Sequence, residues 1–216
     1  MSKECFDVSC RQCPRLAEFL DQVGEEYPDY HARPVAPFGA KVPDLLIVGL
    51  APGMHGANAT GRPFTGDHAG ILLYETLFKY GFSSSPESLS ADDGLVLKGC
   101  RITNAVKCLP PQNKPLTKEI NTCNTFLQRE LYALEAGAVI VALGTIAHKA
   151  IVRALALKQK EFCFSHAAEH SLPNDYYLID SYHCSRYNTQ TRRLTEDMFH
   201  QVFARAAELS GHIISA

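Results

Sequence analysis

Four short apolar runs punctuate the chain, with longer stretches of helical periodicity between them. Leu45 to Leu50 (LLIVGL) is apolar throughout and carries a glycine near its end. Cys100 to Val106, Ala138 to Leu143 (AVIVAL) and Tyr176 to Ser181 (YYLIDS) repeat the pattern. Runs this short and this apolar predict strands buried on both faces. Between and after them, apolar residues at helical spacing predict a helix from Ala69 to Tyr80, stopped by Gly81. A second runs from Thr117, as N-cap, to about Glu135. A third runs from Gly144 to about Leu157, and an amphipathic one from Thr191 to about Leu209 closes the series. Residues 83–94, rich in Ser and Asp, read as a surface loop, and 23–43 as a segment wrapping the surface.

Strands that alternate with helices imply right-handed crossovers. The expected fold is therefore α/β: a four-stranded parallel sheet covered by helices on both faces. In such sheets ligands sit beyond the carboxyl ends of the strands. That points to four loops, beginning at Gly49, Asn104, Gly144 and His183. No repeat or linker interrupts the pattern, so residues 1–216 are expected to form one domain, with the N-terminal segment attached to it.

Composition changes little in this picture. The 216 residues are 46% hydrophobic and 20% charged, an ordinary globule with enough chain for a sizeable core. The formal net charge of −2 argues against a non-specific nucleic-acid binder, so any nucleic-acid contact needs a local basic strip. No stretch reaches the ~18 apolar residues of a membrane span, and the opening MSKECFDVSC has no apolar signal core. The expected location is cytoplasmic. Eight cysteines in that setting point to metal binding or buried thiols rather than disulfides.

The loop after the first strand, Gly49 to Asp67, holds five glycines. They permit positive φ and close approach of backbone to a ligand, and the helix after Asp67 offers a positive dipole end. The loop matches neither a P-loop nor a dinucleotide fingerprint, and a long turn with Phe64 in the core accounts for it equally well. After the fourth strand comes YHCSRYNTQTRR, residues 182–193. His183 there can donate a hydrogen bond to a leaving group. Arg186, Arg192 and Arg193, among Ser, Asn and Thr residues, form a short strip suited to phosphates. A solvated helix start is the plainer account of both. Cys10 and Cys13 form C-x2-C just before a helix, and Cys108 and Cys123 form C-x14-C. Four thiolates suit Zn²⁺ or an iron–sulfur cluster, and spacing does not choose. Cys100 reads as a buried small hydrophobe and Cys5 as a decoy ligand.

Five segments in order, GLAPG, HGAN, TGRPFTGD, TNAVKCLPP and HCSRYNTQT, resemble the type-b, or family-5, uracil-DNA glycosylases. The resemblance runs from about Cys10 to about Phe199. It implies a three-layer α/β/α fold around a four-stranded parallel sheet. It implies a 4Fe–4S cluster on Cys10, Cys13, Cys108 and Cys123, so the resemblance, not the spacing, selects iron over zinc. It also implies removal of uracil from DNA, with hypoxanthine and xanthine as further deaminated bases.

Residue by residue, the resemblance makes Gly49, Leu50 and Ala51 the backbone lining of the base pocket. Phe64 matches the aromatic that stacks on the flipped base, Asn104 the amide that reads its edge, and His183 the histidine that stabilises the departing base. His55 and Asn58 fall in the loop that activates water. Arg186 belongs to the substrate-binding strip. Where better-known uracil glycosylases carry an acid in the first motif, this chain has Ala51; Asn58 is the first candidate to position water and Asp67 the second. Apart from Lys107 the motifs hold no lysine, so no Schiff-base step is expected. The usual HPS reads HCS here, and losing the proline at position 184 is expected to loosen that loop. A monomer is expected. Two competing readings are a non-catalytic nucleic-acid-binding module with a structural metal site, and an α/β protein acting on a free nucleotide.

Overall fold

The computed structural model describes residues 6–212; Cys5 lies outside them. Its centre is a six-stranded sheet in the order β1-β3-β2-β4-β6-β5. The four middle strands are β2 (Leu45–Gly49), β3 (Cys100–Asn104), β4 (Val139–Leu143) and β6 (Tyr177–Ser181). They run parallel, and their register brings Gly49 opposite Asn104 and Leu143 opposite Ser181. The functional ends of the strands are therefore level with one another.

Two edge strands depart from the expected four. Phe38–Gly39 (β1) and Glu169–Ser171 (β5) add antiparallel to β3 and β6. They are two and three residues long and only partly buried, too short to leave an apolar or alternating signal. They cap both sheet edges, which otherwise expose unpaired backbone groups.

Successive side chains of a strand point to opposite faces, and the packing follows. Leu45, Ile47, Val139 and Val141 join Leu73 and Leu77 of α3 (His68–Lys79) and Phe199 and Phe203 of α7 (Glu196–Leu209). Leu46, Val48, Ile140 and Ala142 join Leu127 and Leu131 of α4 (Thr117–Tyr132) and Ala147 and Ile151 of α5 (Thr145–Ala154). This is the three-layer α/β/α arrangement. An outlying helix, α1 (Pro14–Glu26), packs Leu16 against Val106 and Phe126, and Leu20 against Leu109, and a single turn, α2 (Ala57–Thr60), lies in the connection from β2 to α3.

Two helix starts differ from the sequence reading. Leu116, not Thr117, is the N-cap of α4, and the Glu119 carboxylate accepts its N–H at 2.7 Å. The helix expected from Thr191 begins later, as α7, capped by Thr195, whose hydroxyl accepts from Met198 N at 3.2 Å; a separate short helix, α6 (Arg186–Gln190), capped by Ser185, precedes the expected span. The Thr195 cap sets a start that periodicity alone places a few residues too early. The segment 23–43 likewise begins inside α1 before running over the surface.

Candidate active site

Beyond the carboxyl ends of β2, β3, β4 and β6 lies a cavity of about 530 Å³. Leu50, Ala51, Phe64, Asn104, His183 and Arg186 line it, as does Asp67. Gly49 lies directly behind it. A Cβ built there would fall on Asn104 Oδ1 and come within 2.7 Å of the Phe64 ring. Only a glycine lets the amide and the ring approach each other this closely over the strand end. Phe64 adopts φ +56, in the left-handed region that a bulky residue seldom enters. Its ring centroid is 6.0 Å from that of His183, with the planes inclined by 26°.

The strain at Phe64 is held from behind. The buried Arg62 donates to Thr65 Oγ1 (2.9 Å), to both oxygens of Asp93 (2.8 and 2.5 Å) and to Ser88 Oγ (2.6 Å). Tyr74 donates to the Pro63 carbonyl at 2.8 Å. The loop read as plain surface thus anchors the aromatic motif through Ser88 and Asp93.

The polar groups of the cavity are short of partners. Asn104 Oδ1, His183 Nδ1 and His68 Nδ1 are buried with no hydrogen bond among the described residues. Burial holds the His183 imidazole far below its ordinary value, at about 4, so it is neutral near pH 7. Asp67 caps α3, accepting from Gly70 N at 2.9 Å. Burial pushes its carboxyl up, and the amides of Gly70 and Ala69 pull it part of the way back. Gly56 makes room for it: a Cβ there would meet Asp67 Oδ2 at 2.7 Å.

Other expected site residues sit elsewhere. Asn58 is fully buried behind the wall, and neither atom of its amide has a partner among the described residues. His55 is exposed and does not line the cavity; its Nδ1 lies 2.8 Å from Tyr30 Oη. Position 184 is tied down without proline. Cys184 is buried with Sγ 3.3 Å from the Ala69 carbonyl, and Asn188 Nδ2 donates to the His183 carbonyl at 2.8 Å. Among the lining residues that carried no motif are Thr145 and Ile146 at the start of α5, Phe164 on the loop before β5, and Tyr182. The rule that ligands meet the strand ends located the loop after β4, but no rule located the loop of Phe164.

Lys107 does not line the cavity; it is buried with its Nζ 2.5 Å from Glu130 Oε1 and bonded to Thr103 Oγ1. Cys10, Cys13, Cys108 and Cys123 line one small separate cavity with Leu16, Val106 and Phe126, all four as free thiols. The Lys107 backbone N–H points at Cys123 Sγ, 3.2 Å away. Cys100 is fully buried in β3, the small hydrophobe expected. No helix is long and apolar enough to cross a membrane, among the described residues.

Comparison with known proteins agrees with this geometry. The family described as the uracil DNA glycosylase superfamily matches residues 36–207. The chain is similar to a type-5 uracil-DNA glycosylase of Thermus thermophilus, 45% identical over 98% of this chain and 100% of that one. A type-5 enzyme of Pyrobaculum aerophilum is 39% identical over 94% and 90%, and a type-4 enzyme of Archaeoglobus fulgidus 33% identical over 65% and 57%. A matched region spanning the whole sheet, with Phe64, Asn104 and His183 brought to one cavity, places the chain in a family: it belongs to the uracil DNA glycosylase superfamily.

Proposed function

We propose that this protein is a monofunctional glycosylase of base excision repair. It hydrolyses the bond between deoxyribose and uracil in DNA, and takes hypoxanthine and xanthine as well. One observation carries the reading: Phe64, Asn104 and His183 meet in one cavity, with Asn104 Oδ1 and His183 Nδ1 left without partners among the described residues. A base inside a duplex is out of reach, so the target flips into the cavity, most cheaply from a mismatch. Phe64 stacks on its face. The Asn104 amide offers a donor and an acceptor to its edge.

As the glycosidic bond breaks, its electron pair leaves with the base. The neutral His183 donates an N–H hydrogen bond to the base oxygen on which that charge gathers. Water adds to the sugar carbon and gives its proton to a carboxylate. Asp67 suits that role better than Asn58, because it lines the cavity and burial raises its affinity for a proton. Lys107 is held in its ion pair away from the cavity, which supports hydrolysis without a lyase step. Arg186 and Arg193, on exposed stretches of the rim, meet the DNA backbone.

The same reading assigns a 4Fe–4S cluster to Cys10, Cys13, Cys108 and Cys123. Four free thiols lining one cavity, with the Lys107 N–H directed at Cys123 Sγ, are a donor set that suits that group. When bound, it supplies a structural link between the start of α1 and the β3–α4 connection. The protein is read as a one-domain cytoplasmic monomer.

The test is a panel of oligonucleotides carrying uracil, hypoxanthine, xanthine or thymine opposite each normal base. Uracil, hypoxanthine and xanthine should be released, thymine should not, and Asn104→Ala and His183→Ala should each abolish most of the release. Wild-type rates in both variants, or release of base from free deoxyuridine instead of DNA, would sink the assignment. Iron and sulfide analysis of protein purified without oxygen checks the cluster, and a colourless zinc protein of full activity would refute it.

A further inference from the structure

Three residues before His183, the Asp180 carboxylate is fully buried in β6. A buried carboxylate requires counter-charge and donors. Its Oδ1 lies 2.7 Å from His148 Nδ1, and its Oδ2 3.2 Å from His170 Nε2. His148 stands on α5, 1% exposed, and its second nitrogen, Nε2, lies 2.9 Å from the Phe162 carbonyl oxygen. Carbonyl and carboxylate oxygens only accept. A ring with an acceptor on each nitrogen is fully satisfied only as the imidazolium, which donates on both sides.

This cluster grips an extended strap. From 162 to 170, even-numbered residues are partly buried and odd-numbered ones exposed, the period of a strand lying on a surface. Besides the Phe162 carbonyl, the strap is tied by Ala167 N to Asp180 O (2.8 Å) and by Asp180 N to Ala168 O (2.9 Å). His166 Nδ1 accepts from Tyr182 N at 3.1 Å, and the two rings stack at 5.1 Å. Phe164 sits between these ties. Its ring meets His148 edge-on at 5.7 Å and lies 6.2 Å from Tyr182. Phe164 and Tyr182 then line the cavity beside His183.

We infer that His148 is a positioning residue: as an imidazolium clamped between Asp180 and the Phe162 carbonyl, it holds the strap 162–170 on β6 and so sets the Phe164–Tyr182 wall of the cavity. Three groups face the ring or its partner: Asp180 on β6, His170 on β5 and, on α5 itself, Lys149. Burial opposes charge on His148, but Asp180 and the Phe162 carbonyl outweigh it and raise its affinity for a proton above the ordinary value. The ligand atoms of His148, His170 and Asp180 also lie within 4.8 Å of one another, the spacing of a metal site. The 2.7 Å separation of His148 Nδ1 and Asp180 Oδ1 is the length of a charge-assisted hydrogen bond, which favours a proton in that place.

The kinetic consequence rests on the glycosylase reading of the cavity; the charge state and the strap do not. Nitrogen-15 NMR of the whole wild-type protein at pH 7 should show both ring nitrogens of His148 protonated, with no stoichiometric metal lost on dialysis against chelator. A neutral ring, or a metal held there, overturns the inference. In His148→Gln, hydrogen exchange at the Tyr182 amide should quicken, and KM for a uracil oligonucleotide should rise on the order of tenfold, with kcat less affected. Wild-type KM should rise likewise at alkaline pH as His148 loses its proton, and His148→Gln should lack that alkaline limb. A variant with wild-type amide exchange and wild-type pH profile also overturns it. Should His148→Gln fail to fold, the NMR measurement on the wild type still decides. A wild-type protein that released no base would refute the glycosylase reading, while the NMR and exchange results would still judge the strap.

Discussion

Two sets of buried polar side chains in this protein are treated oppositely. Beneath the sheet ends, Lys107 is paired with Glu130 and Thr103, Arg62 with Asp93, Ser88 and Thr65, and Asp180 with two histidines. At the cavity, Asn104 Oδ1, His183 Nδ1 and His68 Nδ1 have no partner among the described residues. Each unmet group costs about 1–3 kcal/mol. Phe64 adds backbone strain on the same side, at φ +56. The first set makes the fold; the second costs stability and is repaid only by a ligand that brings the missing partners.

Breaking one member of each set should therefore give opposite outcomes. Lys107→Ala leaves Glu130 charged and buried, a loss of about 3–5 kcal/mol of stability. Asn104→Ala removes an unpaired group. Its stability by urea denaturation should stay within about 0.5 kcal/mol of wild type or rise, while base release falls about 10²–10³-fold. If Asn104→Ala proved as destabilising as Lys107→Ala, its amide would have a structural partner and the contrast would collapse.

A second contrast lies in pH. Burial lowers His183 to about 4, from an ordinary value of about 6.5. The buried ring is neutral, so the stability tied to it is whole above about 6.5 and is lost as pH falls through about 4. His148 runs the other way. Its affinity for a proton is raised, so its contribution is whole below about 6.5 and is lost as pH rises through its folded value. Thermal melts from acid to alkali should show His183→Gln flattening the acid side alone and His148→Gln the alkaline side alone. Both variants flattening the same side would contradict the assigned charge states.

The sequence made the interior of the sheet legible and its edges illegible. LLIVG and VIVAL read as strands because every residue in them is buried. Phe38–Gly39 and Glu169–Ser171 did not, because a partly buried pair or triplet has no period. Phe64, Asn104 and His183 were found because each lies in a segment with its own pattern. His55 and Asn58 share such a segment, yet one turns out to Tyr30 and the other inward behind the wall. Proximity in a motif does not tell which way a side chain faces. Phe164 escaped notice because its place in the wall is set by Asp180 and His148, which lie 16 residues away on either side of it in the sequence. The cysteines were legible as two pairs. That the two pairs meet around one cavity is visible only in the fold, and the choice of metal group rests on the family resemblance.

The smallest expected effect lies at the rim, outside both sets of buried groups. Arg186, Arg192 and Arg193 are exposed on a chain whose net charge is −2, so the surrounding field does little to hold DNA. Each arginine that meets a phosphate releases a counterion, and its removal should lower the slope of log K against log salt by about 1. Arg192→Ala is the cleanest probe, because its side chain does not line the cavity. Affinity for uracil DNA should fall at low salt and converge on wild type at high salt, while release from the saturated complex is unchanged. Arg193→Ala should differ. Its guanidinium lies 4.7 Å over the Tyr182 ring, so losing it also frees part of the cavity wall and should slow release at saturation. Identical behaviour of the two variants would mean that the rim and the cavity are not energetically separate.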